Sequence, residues 1–139
     1  MEKLNIKVLK TTLSICKLNH RSSIPKWALK GCFTAICKNE DELSIVCEQK
    51  YVPINVKAEK NWGILKVVGQ LDFALTGILS SIALPLAKAK ISIFAISTFN
   101  TDYILIKKSK LAKASALLLK SGFTVKWYVK IYYRQQTKI

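Results

Sequence analysis

The chain has 139 residues, half of them hydrophobic, so it can form one ordinary domain or two very small ones, and this composition disfavours intrinsic disorder. Its formal net charge of +15 is typical of a protein that binds nucleic acid or an anionic surface, although a basic surface that only faces solvent gives the same balance. The longest uncharged run, residues 73–87, is too short to span a bilayer, and lysines interrupt the apolar residues near the N-terminus. We therefore expect a cytoplasmic protein with neither a membrane span nor a secretion signal.

The predicted elements of the first sixty residues are mostly strands. They are, in order, one or two strands over residues 4–18, a short helical turn around Trp27, strands over residues 32–38 and 43–47, and a connector over residues 50–61. Gly31 is expected to end the helical turn, and the polar residues 39–42 are expected to join the two later strands as a hairpin. Pro53 interrupts any regular strand ladder in the connector.

The predicted elements of the remaining residues alternate between strand and helix. They are a strand over residues 62–70, a helix over residues 75–90, strands over residues 91–98 and 102–107, a second helix after residue 109, and a last strand over residues 123–133. We expect Asp72 or Thr76 near the start of the first helix and Ser109 as the cap of the second, which Gly122 ends. Pro85 should kink or loosen the last turns of the first helix.

This order of elements predicts the fold class. Strand, helix, strand, strand, helix, strand is the order of the ferredoxin-like βαββαβ unit, an antiparallel sheet with two helices on one face. We therefore predict an α+β protein with such a domain over residues 61–139. Residues 1–60 are predicted to be a degenerate half of the same type, since only a stunted helix at Trp27 accompanies their strands.

Side chains that could catalyse a reaction or bind a metal are few. The single histidine is His20, and no two of the four cysteines form a C-x-x-C pair; the cysteines are Cys16, Cys32, Cys37 and Cys47. We interpret the cysteines as reduced thiols that mainly fill space in a core. The sequence contains no G-x-S-x-G motif and no P-loop, so we expect no enzyme activity, no metal site and no cofactor.

The stretch VGQLDFALTGILSSIALPLAKAKISIFAISTFNTDYILIK, residues 68–107, closely resembles ACT domains of the CASTOR-like, ACT_7 type. The resemblance rests on the motifs GQLDF and LTGIL and on the long motif ISIFAISTFNTDYILI, and it extends over roughly residues 33–123. The family usually has a glycine before the ISIF motif, where this chain has KAK with Ala89. The chain is also more basic than such domains are expected to be.

The resemblance implies a regulatory protein that binds an amino acid or similar small molecule between two ACT units and passes binding on as a change in assembly. It implies a homodimer of chains with two ACT-like units each. The ligand contacts that it implies are Ser44, Ile45 and Val46 on one side, and Thr76, Gly77, Ile78, Thr98, Phe99 and Asp102 on the other.

The chemistry of the positions in the second half suits an α-amino acid, which presents a carboxylate, an ammonium and a side chain. A helix start offers N–H groups and a positive dipole end for the carboxylate, and Gly77 would let it approach closely, unless this glycine only permits tight helix packing. Asp102, the only acid after Asp72, could pair with the ammonium, or it could be an ordinary turn residue. Thr98 could bind the ligand or only the turn backbone, and Phe99 could be a wall of the pocket or part of the core.

Two alternatives remain open from the sequence. Ser44 to Val46 could offer a hydroxyl and strand-edge backbone groups to a ligand, or they could form a plain buried strand. The whole chain could instead be a basic nucleic-acid-binding module that uses the lysine-rich surface between Lys107 and Lys138, which the absence of any familiar nucleic-acid-binding motif disfavours.

Overall fold

The strands and helices belong to two units of the chain. The computed structural model describes residues 4–68 and 77–129; the helical unit contains residues 4–10 and Gly63–Val129, and the strand unit contains Thr11–Trp62. The strands are β1 (Asn5–Leu18), β2 (Thr34–Lys38), β3 (Leu43–Glu48), β4 (Ala58–Val68), β5 (Phe94–Ser97), β6 (Asp102–Lys107) and β7 (Thr124–Val129). The α-helices are α1 (Ile78–Lys88) and α2 (Leu111–Lys120), and short 3-10 helices cover Lys26–Leu29, Gln49–Tyr51 and Lys108–Lys110.

The strand unit is built around β3, which has a partner on each side. β2 and β3 form the predicted hairpin, and β3 is also antiparallel to β1, so Ile45 lies opposite both Ile36 and Cys16. Its small core contains Cys16, Ala28, Leu43, Ile45 and Cys47. The strands over residues 4–18, 32–38 and 43–47 and the short helical turn at Trp27 are thus confirmed. The connector is shorter than predicted, since β4 already begins at Ala58.

The helical unit buries one face of its strands under α1 and α2. Alternate residues of the strands contribute to this core, as the period of two in a strand requires, and the helices add residues three or four positions apart. The core residues are Ile6, Val8, Leu65, Val67, Ile82, Leu86, Ile91, Ile104, Ile106, Leu111, Ala114 and Leu118. Each such Leu or Ile stabilises the fold by about 1.5–3 kcal/mol relative to an exposed position. The core therefore fixes which face of β6 the helices cover.

The predicted α+β, ferredoxin-like βαββαβ class is wrong. Of the described residues, 44% lie in strands and 26% in helices, and most strand pairs are antiparallel. In a ferredoxin-like unit the last strand lies beside the first, whereas here β7 pairs in parallel with β1, which neighbours β4. Within Thr11–Trp62 the only helices are 3-10 turns, so this part is no degenerate copy of a βαββαβ unit either.

The reason for this error is that element order follows from local sequence, whereas strand pairing does not. Asn5 to Lys7 pair with Thr124 to Lys126, far away in the chain, and Ile6 and Val8 bury their side chains in the same core as the helices. The predicted domain boundary between residues 60 and 61 stays a prediction.

The helix ends differ from prediction in two places. α1 begins at Ile78, with Gly77 as its N-cap residue, while Asp72 and Thr76 lie outside the described residues. Lys108–Lys110 form a 3-10 turn before α2, so Ser109 is not the N-cap, although Gly122 does follow the helix as predicted. α1 continues through Pro85 to Lys88, and the Ala89 N–H donates to the Pro85 carbonyl at 3.3 Å.

Candidate functional site

The turn between β5 and β6 is held by its own threonines. The Thr98 N–H donates to the Thr101 carbonyl at 2.8 Å, and the Thr98 hydroxyl donates to the same carbonyl at 2.9 Å while accepting from the Thr101 N–H at 3.2 Å. Thr101 is buried, and its hydroxyl donates to the Val67 carbonyl. The turn is therefore tied to the C-terminal end of β4, the end from which the chain continues towards α1.

Asp102 follows this anchored turn as the first residue of β6. It lies opposite Ser97 and is half-buried. Because side chains alternate along a strand, Asp102 shares its face with Ile104 and Ile106, which pack in the core under the helices. Its carboxylate is thus on the helix side of the strands, at the end of β6 that adjoins the turn.

Gly77 is needed for its backbone conformation. Its φ of +80° is left-handed, and its carbonyl accepts hydrogen bonds from the Ser81 N–H at 2.9 Å and from the Ser80 hydroxyl at 3.1 Å. A Cβ added there would have its nearest contact, the Ser80 Oγ, at 4.0 Å, so the glycine does not serve tight packing. The residue is exposed, and the N–H groups of the first turn of α1 begin beside it at Ile78, which packs partly against the core.

The side chains at the tip of the turn have separate roles. Phe99 is 75% exposed, so it is not part of the core. Thr98 does bind the turn backbone, as one of the two interpretations predicted, but its oxygen retains a lone pair for one more donor. Of the six predicted contacts in the second half, the structure places Thr98 and Phe99 on one turn, Asp102 directly after it in β6, and Gly77 and Ile78 at one helix start. Thr76 lies outside the described residues.

Ser44, Ile45 and Val46 belong to the strand unit. Ile45 and Val46 are 0% and 2% exposed, and β3 is paired on both sides, so these residues offer no strand-edge backbone groups. Ser44 is half-buried opposite Lys17 and Cys37. The geometry favours the buried-strand interpretation of Ile45 and Val46, and a role for the three residues in ligand binding stays a prediction.

Two thiols of the strand unit, those of Cys47 and Cys32, are poorly suited to nucleophilic chemistry. Cys16 and Cys47 share a hydrogen bond in the core, and this bond and burial raise the pKa of Cys47. Burial and the neighbouring Glu48 carboxylate raise the pKa of Cys32, whose N–H donates to Glu48 at 2.6 Å. Since the thiolate is the reactive form, these shifts disfavour reaction at neutral pH. Within residues 4–68 and 77–129 no three His, Cys, Asp or Glu side chains form a group that could hold a metal.

Part of the lysine-rich surface considered for nucleic-acid binding lies on α2 and its neighbours. Lys108, Lys110, Lys113, Lys120 and Lys126 are exposed, while Lys130, Arg134 and Lys138 lie outside the described residues. In the ranges that the structure covers, no helix is long and apolar enough to cross a membrane.

Comparison with known sequences covers both units. Residues 57–120 match a family model described as an ACT domain, and residues 12–55 match a second model described as an N-terminal domain. The human protein CASTOR3P is 32% identical over 102 residues, which is 65% of this chain. The chain spans 62% of the length of that relative.

Two solved structures are similar to this chain in fold. Protein Atu0741 from Agobacterium tumefaciens is 32% identical and superimposes with a TM-score of 0.88 over 96% of this chain and 100% of its own. The regulatory subunit of aspartate kinase from Thermus flavus has a TM-score of 0.52 over 86% of this chain and 97% of its own; at 8% identity this likeness shows the fold alone. The match over residues 57–120 thus identifies an ACT domain in this chain. This confirms the resemblance seen in the sequence, and the human protein CASTOR3P is similar to the chain.

Proposed function

We propose that this chain is a non-catalytic, cytoplasmic regulatory protein that binds an amino acid or similar small molecule through its ACT domain. The ACT domain over residues 57–120 and a fold shared with a regulatory subunit support this role. We further propose a homodimer in which the ligand binds where ACT units of two copies meet. Binding would then favour one assembly over another, by no more than the difference in ligand affinity between the two.

The position of Asp102 is the observation that carries the proposal. In the described part of the helical unit Asp102 is the only acid, and strand alternation puts its carboxylate on the helix side beside an anchored turn. A ligand ammonium would form a charge-assisted hydrogen bond with it. The free lone pair of the Thr98 hydroxyl could accept a second hydrogen bond from the same ammonium.

The start of α1 would receive the ligand carboxylate. Helix N-termini carry a partial positive charge and N–H groups that point outward, and the exposed Gly77 leaves room for an oxygen to approach them. The exposed ring of Phe99 would cover the ligand side chain. The remaining contacts, Thr76, Ile78, Ser44, Ile45 and Val46, are proposed on the resemblance alone.

A thermal-shift screen of the twenty amino acids tests the proposal. A ligand that binds only the folded state stabilises it by about 2.7 kcal/mol when present at about 100 times its Kd, so we expect one amino acid, or a chemically related few, to raise the Tm. Calorimetric titration of that ligand would then give its Kd. If none of the twenty raises the Tm, the amino-acid assignment fails.

The variant Asp102→Asn tests the residue that matters most. It removes the charge and keeps the shape, so it should abolish the ligand-induced shift in Tm while leaving the unliganded Tm close to wild type. Asp41→Asn, in the exposed turn between β2 and β3, is the matched control and should keep the full shift. A full shift in Asp102→Asn would exclude Asp102 as a ligand contact.

A further inference from the structure

A groove with an apolar floor runs between the C-terminal ends of α1 and α2. It is lined by Leu84, Pro85, Lys88, Ala89, Leu117, Lys120 and Ser121. Leu84 is 57% exposed although it occupies a helix that buries Ile82 and Leu86 on its other face. The floor of the groove is apolar and concave, which is the kind of surface on which the apolar face of a helix can dock.

The charge around the groove has one sign. Lys88 and Lys120 are exposed at its two sides, and neither α1 nor α2 contains an aspartate or glutamate. Both lysines lie in the last turn of their helix. The helix dipole stabilises a cation there, which explains why a lysine stands at each position. The dipole does not account for the exposed Leu84 between them. An apolar floor and a cationic rim together fit a partner that presents apolar side chains flanked by carboxylates.

We propose that this groove docks an acidic, leucine-bearing helical segment of another protein. The leucines of such a segment would fill the floor at Leu84 and Leu117, and its carboxylates would face Lys88 and Lys120. A second copy of this chain fits less well, because it would bring the same lysines towards each other. The surface is separate from the Asp102 turn and does not rest on amino-acid binding; it is where a regulatory protein could contact its target.

The test uses a fluorescein-labelled peptide of about 16 residues, roughly four helical turns, with leucine at positions i, i+3, i+4 and i+7 and glutamate elsewhere. Fluorescence anisotropy with the full chain should show saturable binding that weakens as salt is added, since charge pairs contribute. Leu84→Glu should weaken binding about tenfold or more, because it removes an apolar contact and adds a like charge. The double variant Lys88→Gln with Lys120→Gln should weaken it by about the same factor.

Matched controls make the experiment decisive. Leu119→Glu is the same change at a leucine that is 53% exposed on α2 but does not line the groove, and Lys10→Gln with Lys126→Gln removes two exposed lysines elsewhere in the helical unit. Both should bind the peptide like wild type, and circular dichroism should show the same helix content for all variants. The proposal fails if the peptide shows no saturable binding, or if the control variants lose as much affinity as the groove variants. It also fails if a peptide of scrambled order binds equally well, or if the chain binds only anionic vesicles or single-stranded DNA.

Discussion

Thr101 holds the candidate site in place through one buried hydrogen bond. Its hydroxyl donates to the Val67 carbonyl, and Thr101→Val would keep the size of the side chain but leave that carbonyl without its donor. We expect a loss of about 1–3 kcal/mol in the free energy of unfolding, measured by urea denaturation. Thr101→Ser keeps the hydroxyl and removes one methyl group, so it should cost less, about 0.8 kcal/mol. A Thr101→Val variant as stable as the wild type would show that the bond contributes nothing.

The difference between Asp102 and Thr101 shows what the sequence can reveal about a site. Asp102 was predicted because it is the only acid after Asp72, and a lone charge is visible in a sequence. Thr101 was missed because its partner is 34 positions away in the chain, and a threonine in a turn usually bonds its own backbone. The sequence could suggest the charged residue of the candidate site but not the anchor of the turn beside it.

The two α-helices end in the same motif with different residues. After α1, the Lys90 N–H donates to the Ala87 carbonyl and the Ile91 N–H to the Leu86 carbonyl, both at 2.9 Å; after α2, Gly122 and Phe123 donate in the same way to Leu119 and Leu118, both at 3.0 Å. This is the Schellman motif, whose left-handed residue is Lys90 with φ of +59° in one helix and Gly122 with φ of +102° in the other.

This pair of helix ends allows reciprocal substitutions. A residue with a side chain costs about 1–2 kcal/mol in the left-handed region, and glycine avoids this cost. Glycine also loses more backbone entropy on folding, so its net advantage is smaller. We therefore expect Lys90→Gly to raise the free energy of unfolding by about 0.5–1 kcal/mol, and Gly122→Lys to lower it by about the same amount, since a Cβ at Gly122 meets nothing within 4 Å. Chemical denaturation of both variants measures the effect. Lys90→Ala is the control, because alanine keeps a Cβ and therefore keeps the cost of the left-handed conformation. Stabilisation by Lys90→Ala as large as that by Lys90→Gly would contradict the conformational explanation.

Elements were predicted better than their arrangement. Period-two and helical patterns are local, so most of the strands and both helices were found near their observed positions. The ferredoxin-like arrangement failed because it required β7 to lie beside β4, and nothing local in Asn5 to Lys7 shows that this segment takes the place next to β7. Lys90 illustrates the same limit at a helix end: the glycine missing before ISIF is visible in the sequence, but the left-handed conformation of Lys90 is not.

Charge is divided unevenly along the whole molecule. Five of the acids, Glu40, Asp41, Glu42, Glu48 and Glu59, lie in the strand unit, and in the described part of the helical unit Asp102 is the only one among many lysines. Such a surface attracts any polyanion by simple electrostatics, whether or not nucleic acid is a biological partner. Affinity for nucleic acid by itself therefore does not distinguish a nucleic-acid-binding module from an amino-acid sensor with a basic surface.

The response of each affinity to salt does distinguish them. Nucleic acid releases condensed counterions when lysines neutralise its phosphates, so its affinity falls with a slope of about −0.7 per contacted phosphate on a logarithmic scale for single strands. An amino acid carries at most one net charge and no condensed counterions, so we expect its Kd to depend far less on salt and to change by no more than about twofold between roughly 50 and 300 mM. Calorimetry with the amino acid and anisotropy with labelled oligothymidine, on the same preparation, measure both affinities.

Asp102→Asn should remove amino-acid binding and leave the oligothymidine slope unchanged, because the variant touches only one of the two surfaces. An oligonucleotide affinity that persists at high salt, together with no response to any amino acid, would instead favour the nucleic-acid-binding function.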